Sequence, residues 1–313
     1  MLFLLKKILP QLFISIILEE KKNTLKASIY RGNKLISSNE KTFDKSENLL
    51  EYVKNLSRPF LFYHTALFLN ANEQGLIPST NTQDNTKKMS VKHLLLNNAL
   101  IYTATEHIEY YSELFETYKG LDFLYSPFAL LYYKIQEEKQ SDDKILLYGL
   151  KQEQILVIII ARGRDILYGD FKIFEQELSL EFEPEENEKI QDNQNDTEVS
   201  LDNFNEVLDD KFNQLDQENN DENLANDDNF NLDELGQFSN DMELCRYIIA
   251  NIEKFYNDDK YAGVFINDIL LYSQSDINRS AIDFLENETF LEIKTKQINI
   301  LELMIELMRK ELK

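Results

Sequence analysis

Few side chains of this sequence could perform acid-base, nucleophilic or metal chemistry together. The three histidines, His64, His93 and His107, are far apart in the chain and far from the single cysteine, Cys245. In a sequence, a metal site or a catalytic pair is usually recognised by short, regular spacings of its residues or by a motif. None of the motifs Walker A, G-x-S-x-G and H-E-x-x-H occurs. We therefore expect no catalytic residue and no metal ligand: the histidines should be structural or surface residues, and Cys245 a buried, inert thiol.

Carboxylates are plentiful, but they are concentrated in one segment. Between Glu181 and Asp241 there are 21 of the 56 acidic residues of the chain and only two lysines. This composition predicts an acidic insert, 181–241, that is mostly disordered and dispensable for folding. One interpretation is a flexible linker. The alternative is an element that folds when it binds a partner, with an apolar helical stripe as candidate partner-binding residues: Phe204, Leu208, Phe212 and Leu215.

Overall composition excludes several classes of protein. The formal net charge of −23 argues against nucleic acid as a partner, because phosphate binding needs a basic surface. A hydrophobic content of 43% is enough for a real core. Since one cysteine cannot form an intramolecular disulfide, a reducing compartment is expected. We predict a cytoplasmic protein.

The amino terminus allows two interpretations. Met1–Leu18 is apolar, but Lys6, Lys7 and Pro10 interrupt it, so it does not have the pattern of a spanning helix or a signal peptide. It is either a lead-in to a buried strand at Leu12–Leu18 or, over Met1–Leu9, a foot on the membrane surface.

The remaining elements follow from hydrophobic periodicity and turn residues. In the first part we predict strands, a helix capped by Ser46 and a polar loop: Leu12–Leu18, Leu25–Tyr30, Leu35–Phe43, helix Ser46–Leu56, strand Phe60–Leu69 and loop Asn70–Lys88. Next come strand Ala99–Thr103, helix Glu106–Tyr118 ended by Gly120, strand Leu121–Tyr125 and a helix opened by Pro127. This alternation predicts that the two strands pair in parallel.

The second part repeats the order of the first. Three strands in close succession are followed by alternating helices and strands: Ile145–Leu150, Ile155–Ala161, Ile166–Phe174, helix Met242–Tyr256, strand Gly263–Ile266, helix Ile277–Glu286, strand Phe290–Ile293 and helix Ile298–Leu312. The duplication is one of element order and not of sequence.

This order resembles the actin-like ATPase fold, and within it the family of PilM and the cytoplasmic part of GspL. The resemblance is carried by Ala99–Tyr133 with Gly120-Leu121 and Ala129-Leu130, by the turn Arg162–Leu167, and by the helix Glu243–Tyr256. It implies an α/β, ribonuclease H-like fold of two lobes with mixed sheets. The first lobe would be 1–143 and the second 144–180 with 242–313, interrupted by the insert 181–241.

The sequence departs from the family at the nucleotide elements. Actin-like proteins hold phosphates with backbone N–H groups at two Asp-Gly hairpins, where glycine permits close approach. The first hairpin, Leu18–Asn23, has no glycine, and at the second Tyr148 stands where the resemblance places aspartate. Phe265–Ile269 replaces the glycine-rich loop for the base. We therefore expect no cofactor, ATP included, and no enzymatic activity.

The resemblance implies a platform protein of a type IV pilus-like, type II secretion or DNA-uptake machine. It would bind an inner-membrane single-span protein at the inner face of that membrane. Self-association and peripheral membrane contact stay open. Two alternatives also remain: a divergent actin-like ATPase or sugar-kinase-type enzyme, and an acidic adaptor acting through the insert 181–241.

Overall fold

The computed structural model describes residues 8–19, 22–78, 91–116, 120–139, 143–174, 232–261 and 264–312. The strands are β1 Pro10–Ile17, β2 Asn23–Arg31, β3 Lys34–Phe43, β4 Phe62–Phe68, β5 Gln74–Pro78, β6 Val91–Leu96, β7 Ala99–Ala104, β8 Phe123–Tyr125, β9 Ile145–Gln152, β10 Ile155–Arg162, β11 Asp165–Ile173, β12 Asp268–Ser273 and β13 Glu292–Gln297. The helices are α1 Ser46–Ser57, α2 Thr105–Glu116, α3 Pro127–Glu137, α4 Leu232–Asn257, α5 Arg279–Thr289 and α6 Ile300–Glu311.

Two five-stranded sheets have the same topology. Their strand orders are β3-β2-β1-β4-β8 and β11-β10-β9-β12-β13. In each sheet the first three strands pair antiparallel and the last two join in parallel. The central strands are continuous apolar runs because both of their faces are covered; Ile158, Ile159 and Ile160 of β10 have no exposed surface. The duplicated order predicted from the sequence is therefore confirmed.

A third sheet, of order β5-β7-β6, differs from the prediction. The segment predicted as the polar loop Asn70–Lys88 contains β5, which pairs antiparallel with β7. The predicted parallel pairing of Ala99–Thr103 with Leu121–Tyr125 is wrong, because β7 pairs with β5 and β6, and β8 pairs in parallel with β4. Strand-helix-strand order predicts that a helix connects the two strands, but it does not determine which strands each of them pairs with.

Helices on the outer faces complete each sheet. On the first sheet, Leu49 and Val53 of α1 and Phe115 of α2 are buried against apolar side chains of β1 and β4. On the second sheet, Ile248 of α4 and Leu285 of α5 do the same against β9 and β10. Each helix presents one apolar stripe to its sheet, as its periodicity predicts.

The inner core is shared between the two halves. Phe13 and Phe68 of the first sheet and Tyr148 and Val157 of the second belong to one buried cluster with α3 and α6. Helix α3 follows the first half but packs on β9 and β10, whereas α6 ends the second half and packs on β1 and β4. Each half thus supplies a helix that lies on the other half's sheet. The described residues up to 174 and from 236 onward form one compact unit.

Local signals at helix ends agree with the structure in part. Gly120 has a φ of 89° and donates its N–H to the carbonyl of Phe115 at 2.9 Å, so it closes α2 as predicted. Pro127 opens α3, where Ser126 accepts a hydrogen bond from the N–H of Phe128. Ser46, by contrast, is not the cap of α1: the capping position is Lys45, which has no side-chain cap hydrogen bond.

Two predictions for the second half are corrected. Helix α4 begins at Leu232, ten residues before the predicted start at Met242. The strand predicted at Gly263–Ile266 is wrong: residues 264–267 have no regular structure, and the strand is β12, further along the chain. A short apolar run does not by itself show where a strand begins and ends. Here the bounds of β12 are set by its pairing with β9 and β13.

Candidate functional site

Two hairpin turns, one from each large sheet, lie against each other. The first joins β1 to β2 and contains Glu19; the second joins β9 to β10 and begins after Gln152. The side-chain amide of Gln152 donates to the Glu19 carboxylate, with 3.3 Å between Nε2 and Oε1. Within the first turn, the N–H of Glu19 donates to Oδ1 of Asn23 at 3.3 Å. These are the turns at which the resemblance would place phosphates.

Carboxylates dominate the charge at this meeting point. Burial raises the pKa of the Glu19 carboxyl, and the neighbouring carboxylate of Glu153 raises it further, while Gln152 and Lys22 act in the opposite direction. A pair of interacting carboxylates repels phosphate oxygens and favours cations or N–H donors. The arrangement is therefore suited to polar or cationic groups.

Sequence reasoning placed the second hairpin incorrectly. Tyr148 and Gly149 lie in the middle of β9, and the turn itself is Glu153-Gln154, with a positive φ of 46° at Glu153. A Cβ at Gly149 would lie 2.7 Å from a methyl carbon of Leu271 on β12. Glycine at this position gives the Leu271 side chain room to pack against β9, and Tyr148 is a fully buried core residue.

A buried ion pair lies directly beside the second turn. Lys151, at the end of β9, pairs with Asp241 of α4, whose carboxylate is completely buried. The other carboxylate oxygen accepts the N–H of Asn278, just before α5, at 2.8 Å. Sequence reasoning missed this pair because it assigned Asp241 to the acidic insert. The signal that could have found it is the apolar spacing of Phe238, Asp241-Met242 and Cys245 on one helical face.

The segment that replaces the family's base loop has a structural connection. Asn267 and Ile145 exchange two hydrogen bonds: Ile145 N–H donates to Oδ1 of Asn267 at 2.9 Å, and Asn267 N–H donates to the Ile145 carbonyl at 2.8 Å. This exchange joins the start of β12 to the start of β9. Phe265 is largely exposed, and its ring centroid is 6.0 Å from that of Tyr256.

The histidines and the cysteine do not come together. His107 contacts the Glu73 carboxylate, His64 Nδ1 lies 3.9 Å from Asp122, and His93 is exposed on β6. Cys245 has no exposed surface, and burial followed by the Asp241 carboxylate raises the pKa of its thiol to about 12. Within the part of the chain that the structure describes, no three His, Cys, Asp or Glu side chains are grouped to hold a metal ion.

Two of the predicted binding elements cannot be located. Phe204, Leu208, Phe212 and Leu215 lie outside the described residues, as does most of Met1–Leu9. Among the helices with described residues, none is long and apolar enough to cross a membrane.

A long sheet edge in the first half has no neighbour among the described strands. Within the described residues strand β3 pairs only with β2, and nine of its ten residues are exposed; Phe43 is the exception. Leu35 and Ile36, beside an irregularity in the β2–β3 register, are 47% and 50% exposed. Unpaired N–H and C=O groups on such an edge can receive another extended chain.

The fold is similar to those of known structures. The crystal structure of a Bacteroides thetaiotaomicron protein with actin-like ATPase fold and unknown function matches at TM-score 0.50 and 12% identity, over 97% of this chain and 98% of that one. A chain of the PilM-PilN type IV pilus biogenesis complex matches at TM-score 0.50 and 11% identity, over 93% and 89%. The predicted actin-like α/β fold is confirmed. At these identities the likeness shows the fold alone.

Family comparisons cover most of the chain. Residues 147–313 match a family described as Domain of unknown function (DUF8341), and residues 9–132 match a second described as Domain of unknown function (DUF8569). No curated protein matches the sequence at a significant level.

Proposed function

Since the chain belongs to the family described as Domain of unknown function (DUF8341), a description that assigns no activity, we propose its function from the geometry of the site. It is a non-catalytic platform protein of a type IV pilus-like, type II secretion or DNA-uptake machine. It binds the cytoplasmic segment of a single-span inner-membrane protein and works at the inner face of that membrane.

The observation that carries the non-catalytic part is the contact between Glu19 and Gln152. In an actin-like ATPase the two hairpins leave room between them for phosphates. Here a side-chain hydrogen bond joins the hairpins, and Glu153 adds a second carboxylate beside Glu19. A tetra-anionic nucleotide would have to break this bond and approach two like charges.

The assembly part is supported by the fold that this chain shares with a component of the PilM-PilN complex. It is also supported by the free edge of β3. An extended segment of a partner can add a strand there through backbone hydrogen bonds, and the half-exposed side chains of Leu35 and Ile36 offer apolar contacts beside the new strand.

Nucleotide binding is tested by calorimetry of the full-length protein with Mg-ATP. We expect no heat beyond dilution and no release of phosphate. Saturable heat together with hydrolysis would instead support the divergent ATPase, the rival interpretation.

Partner binding is tested by co-expression with each single-span inner-membrane protein that the neighbouring genes are found to encode. We expect the chain to sediment with membranes only when that protein is present, and Ile36→Lys to reduce the sedimented fraction. Leu61→Lys is the matched control, because Leu61 is 70% exposed outside the strand and its loss should change nothing. Sedimentation that persists without the partner but disappears when residues 1–9 are removed would make the amino terminus the anchor and contradict the proposal.

A further inference from the structure

The third sheet ends in an apolar edge at β6. Within the described residues β6 pairs only with β7, and the register of that pair has no irregularity. Two adjacent leucines of β6, Leu94 and Leu95, are 58% and 67% exposed. Because successive side chains of a regular strand point to opposite faces, this edge is apolar on both faces of the sheet.

The edge of the second sheet shows a different pattern. Strand β13 carries exposed charged side chains at alternate positions, on Glu292, Lys294 and Lys296. Charges placed in this way on an edge strand prevent it from pairing with another copy of the chain. On β6 the only residue with a permanent charge is Lys92, near the start of the strand. The leucine end of β6 therefore lacks the protection that β13 has.

Leu95 is the last member of an apolar row that crosses the third sheet. Ile77 of β5 pairs with Leu100 of β7, and Leu100 pairs with Leu95. Directly paired residues lie on the same face, so the three side chains are neighbours. Exposure increases toward the edge, because Leu100 is 37% exposed and Leu95 is 67% exposed. A strand added beside β6 would extend this row and cover its most exposed member.

The leucine end of β6 is complementary to itself. When two β6 strands pair antiparallel about Leu95, each Leu95 faces the same residue of the other copy, and each Leu94 faces Leu96. Each Lys92 is three residues from the two-fold axis, so the two ammonium groups are about 20 Å apart along the strands and are largely screened from each other. Such a two-fold, self-complementary contact is the commonest way in which two copies of a chain associate.

A second copy suits this short edge better than a flexible peptide does. Strand β6 has six residues, so a strand added to it gains few backbone hydrogen bonds. A disordered segment loses conformational entropy when it becomes ordered on binding, whereas β6 of a second copy is already ordered. The ten-residue edge of β3 offers an extended partner segment more of these bonds.

We propose that two copies of this chain associate through their β6 edges, antiparallel about Leu95, to form one continuous sheet of six strands. The contact covers Leu94 and Leu95 of both copies. The net charge of −23 on each chain opposes association, so the dimer should become tighter as added salt screens that charge. Strand β3 takes no part in this contact.

Sedimentation equilibrium of the full-length protein tests this proposal. We expect a concentration-dependent equilibrium between monomer and dimer. Leu95→Lys should weaken the dimer at least about tenfold, because it places two ammonium groups opposite each other and removes two leucines from the contact. Leu61→Lys is the matched control: Leu61 is 70% exposed and lies outside the strands, so the same substitution should leave the dimer unchanged.

A charge swap tests whether Leu95 meets itself across the axis. Leu95→Glu alone should also weaken the dimer, whereas an equal mixture of Leu95→Lys and Leu95→Glu should associate, since opposite charges directly across a strand pair attract. A monomer at every concentration, an unchanged dimer in Leu95→Lys, an equal loss in Leu61→Lys, or a mixture no more associated than its components would overturn the proposal. Membrane recruitment through β3, tested with Ile36→Lys, is independent of this result.

Discussion

Lys151 and Asp241 form an ion pair in which the aspartate carboxylate has no exposed surface. The pair connects the end of β9 to α4, and the second carboxylate oxygen holds the N–H of Asn278 before α5. A buried charge is tolerated only when it is paired and its remaining hydrogen-bonding capacity is filled, and both conditions hold here. The Asp241 side chain therefore holds β9, α4 and the start of α5 together beside the hairpin turn.

Removal of the Asp241 charge should destabilise the protein strongly. Asp241→Asn leaves Lys151 without a counter-charge in a site of little solvent exposure, which typically lowers the free energy of unfolding by about 3–5 kcal/mol. Urea denaturation measures the change. Asp283→Asn breaks the exposed pair with Arg279, 2.9 Å long, and should change the free energy of unfolding by about 1 kcal/mol or less. Equal effects of the two variants would contradict this account.

The Glu19 carboxyl should make stability depend on pH in a defined direction. Its folded-state pKa is raised above the ordinary value of 4.5, so above pH 4.5 the folded state binds more protons than the unfolded state. Its contribution to stability is therefore lost as pH rises through the folded pKa. Glu19→Gln removes this loss, and the variant should unfold at higher urea concentration than the wild type at pH 7 but not below pH 4. A pH-independent difference would refute the assignment.

Phe290 occupies a position that favours glycine. It ends α5 with a φ of 56°, donates its N–H to the Glu286 carbonyl at 2.9 Å, and leaves 91% of its surface exposed. A left-handed residue with a side chain costs about 1–2 kcal/mol, and almost no apolar burial is lost on truncation. Phe290→Gly should raise the melting temperature by several degrees. A lower melting temperature would mean that the ring contributes packing.

Two deletions of different length should behave differently. The composition of 183–231 cannot provide a compact core, so its deletion should leave the free energy of unfolding nearly unchanged. Extending the deletion to 183–240 also removes Phe238 of α4, which is only 5% exposed. Loss of such a side chain lowers stability by about 3–5 kcal/mol. If both deletions were equally stable, the first residues of α4 would have no role in the fold.

Cys245 should resist thiol reagents in the native protein. Its side chain is fully buried, Sγ lies 3.2 Å from the carbonyl of Ala281, and its pKa is about 12. Because only the thiolate reacts, iodoacetamide at pH 8 should modify it only after unfolding in urea. Rapid labelling under native conditions would indicate local opening of α4.

Much of the architecture was readable from local patterns. The runs that became β1, β9 and β10 are long and apolar, and tight turns at Gly32 and Gly163 separate β2 from β3 and β10 from β11. Pro127 and Gly120 mark helix ends through the steric limits of their own backbones. These signals act within a few residues, so the sequence alone could show that the same element order occurs twice. The resemblance of this element order to the PilM and GspL family then predicted an actin-like fold.

The arrangement of the site depends on contacts between segments that are distant in the chain. The apolar spacing around Asp241 places it on the buried face of a helix but does not show its partner; it is paired because α4 carries it against Lys151, 90 residues away in the chain. Tyr148 was assigned to the second hairpin turn, but it lies in the middle of β9 and is buried in the core. The pairing of β7 with β5 and β6 and the exchange of α3 and α6 between the halves also join segments that are distant in the chain. Local sequence determined which segments could be strands and helices, because backbone sterics and periodicity act over short range. Only the tertiary structure determined which of them meet, because burial and charge pairing depend on the whole packed chain.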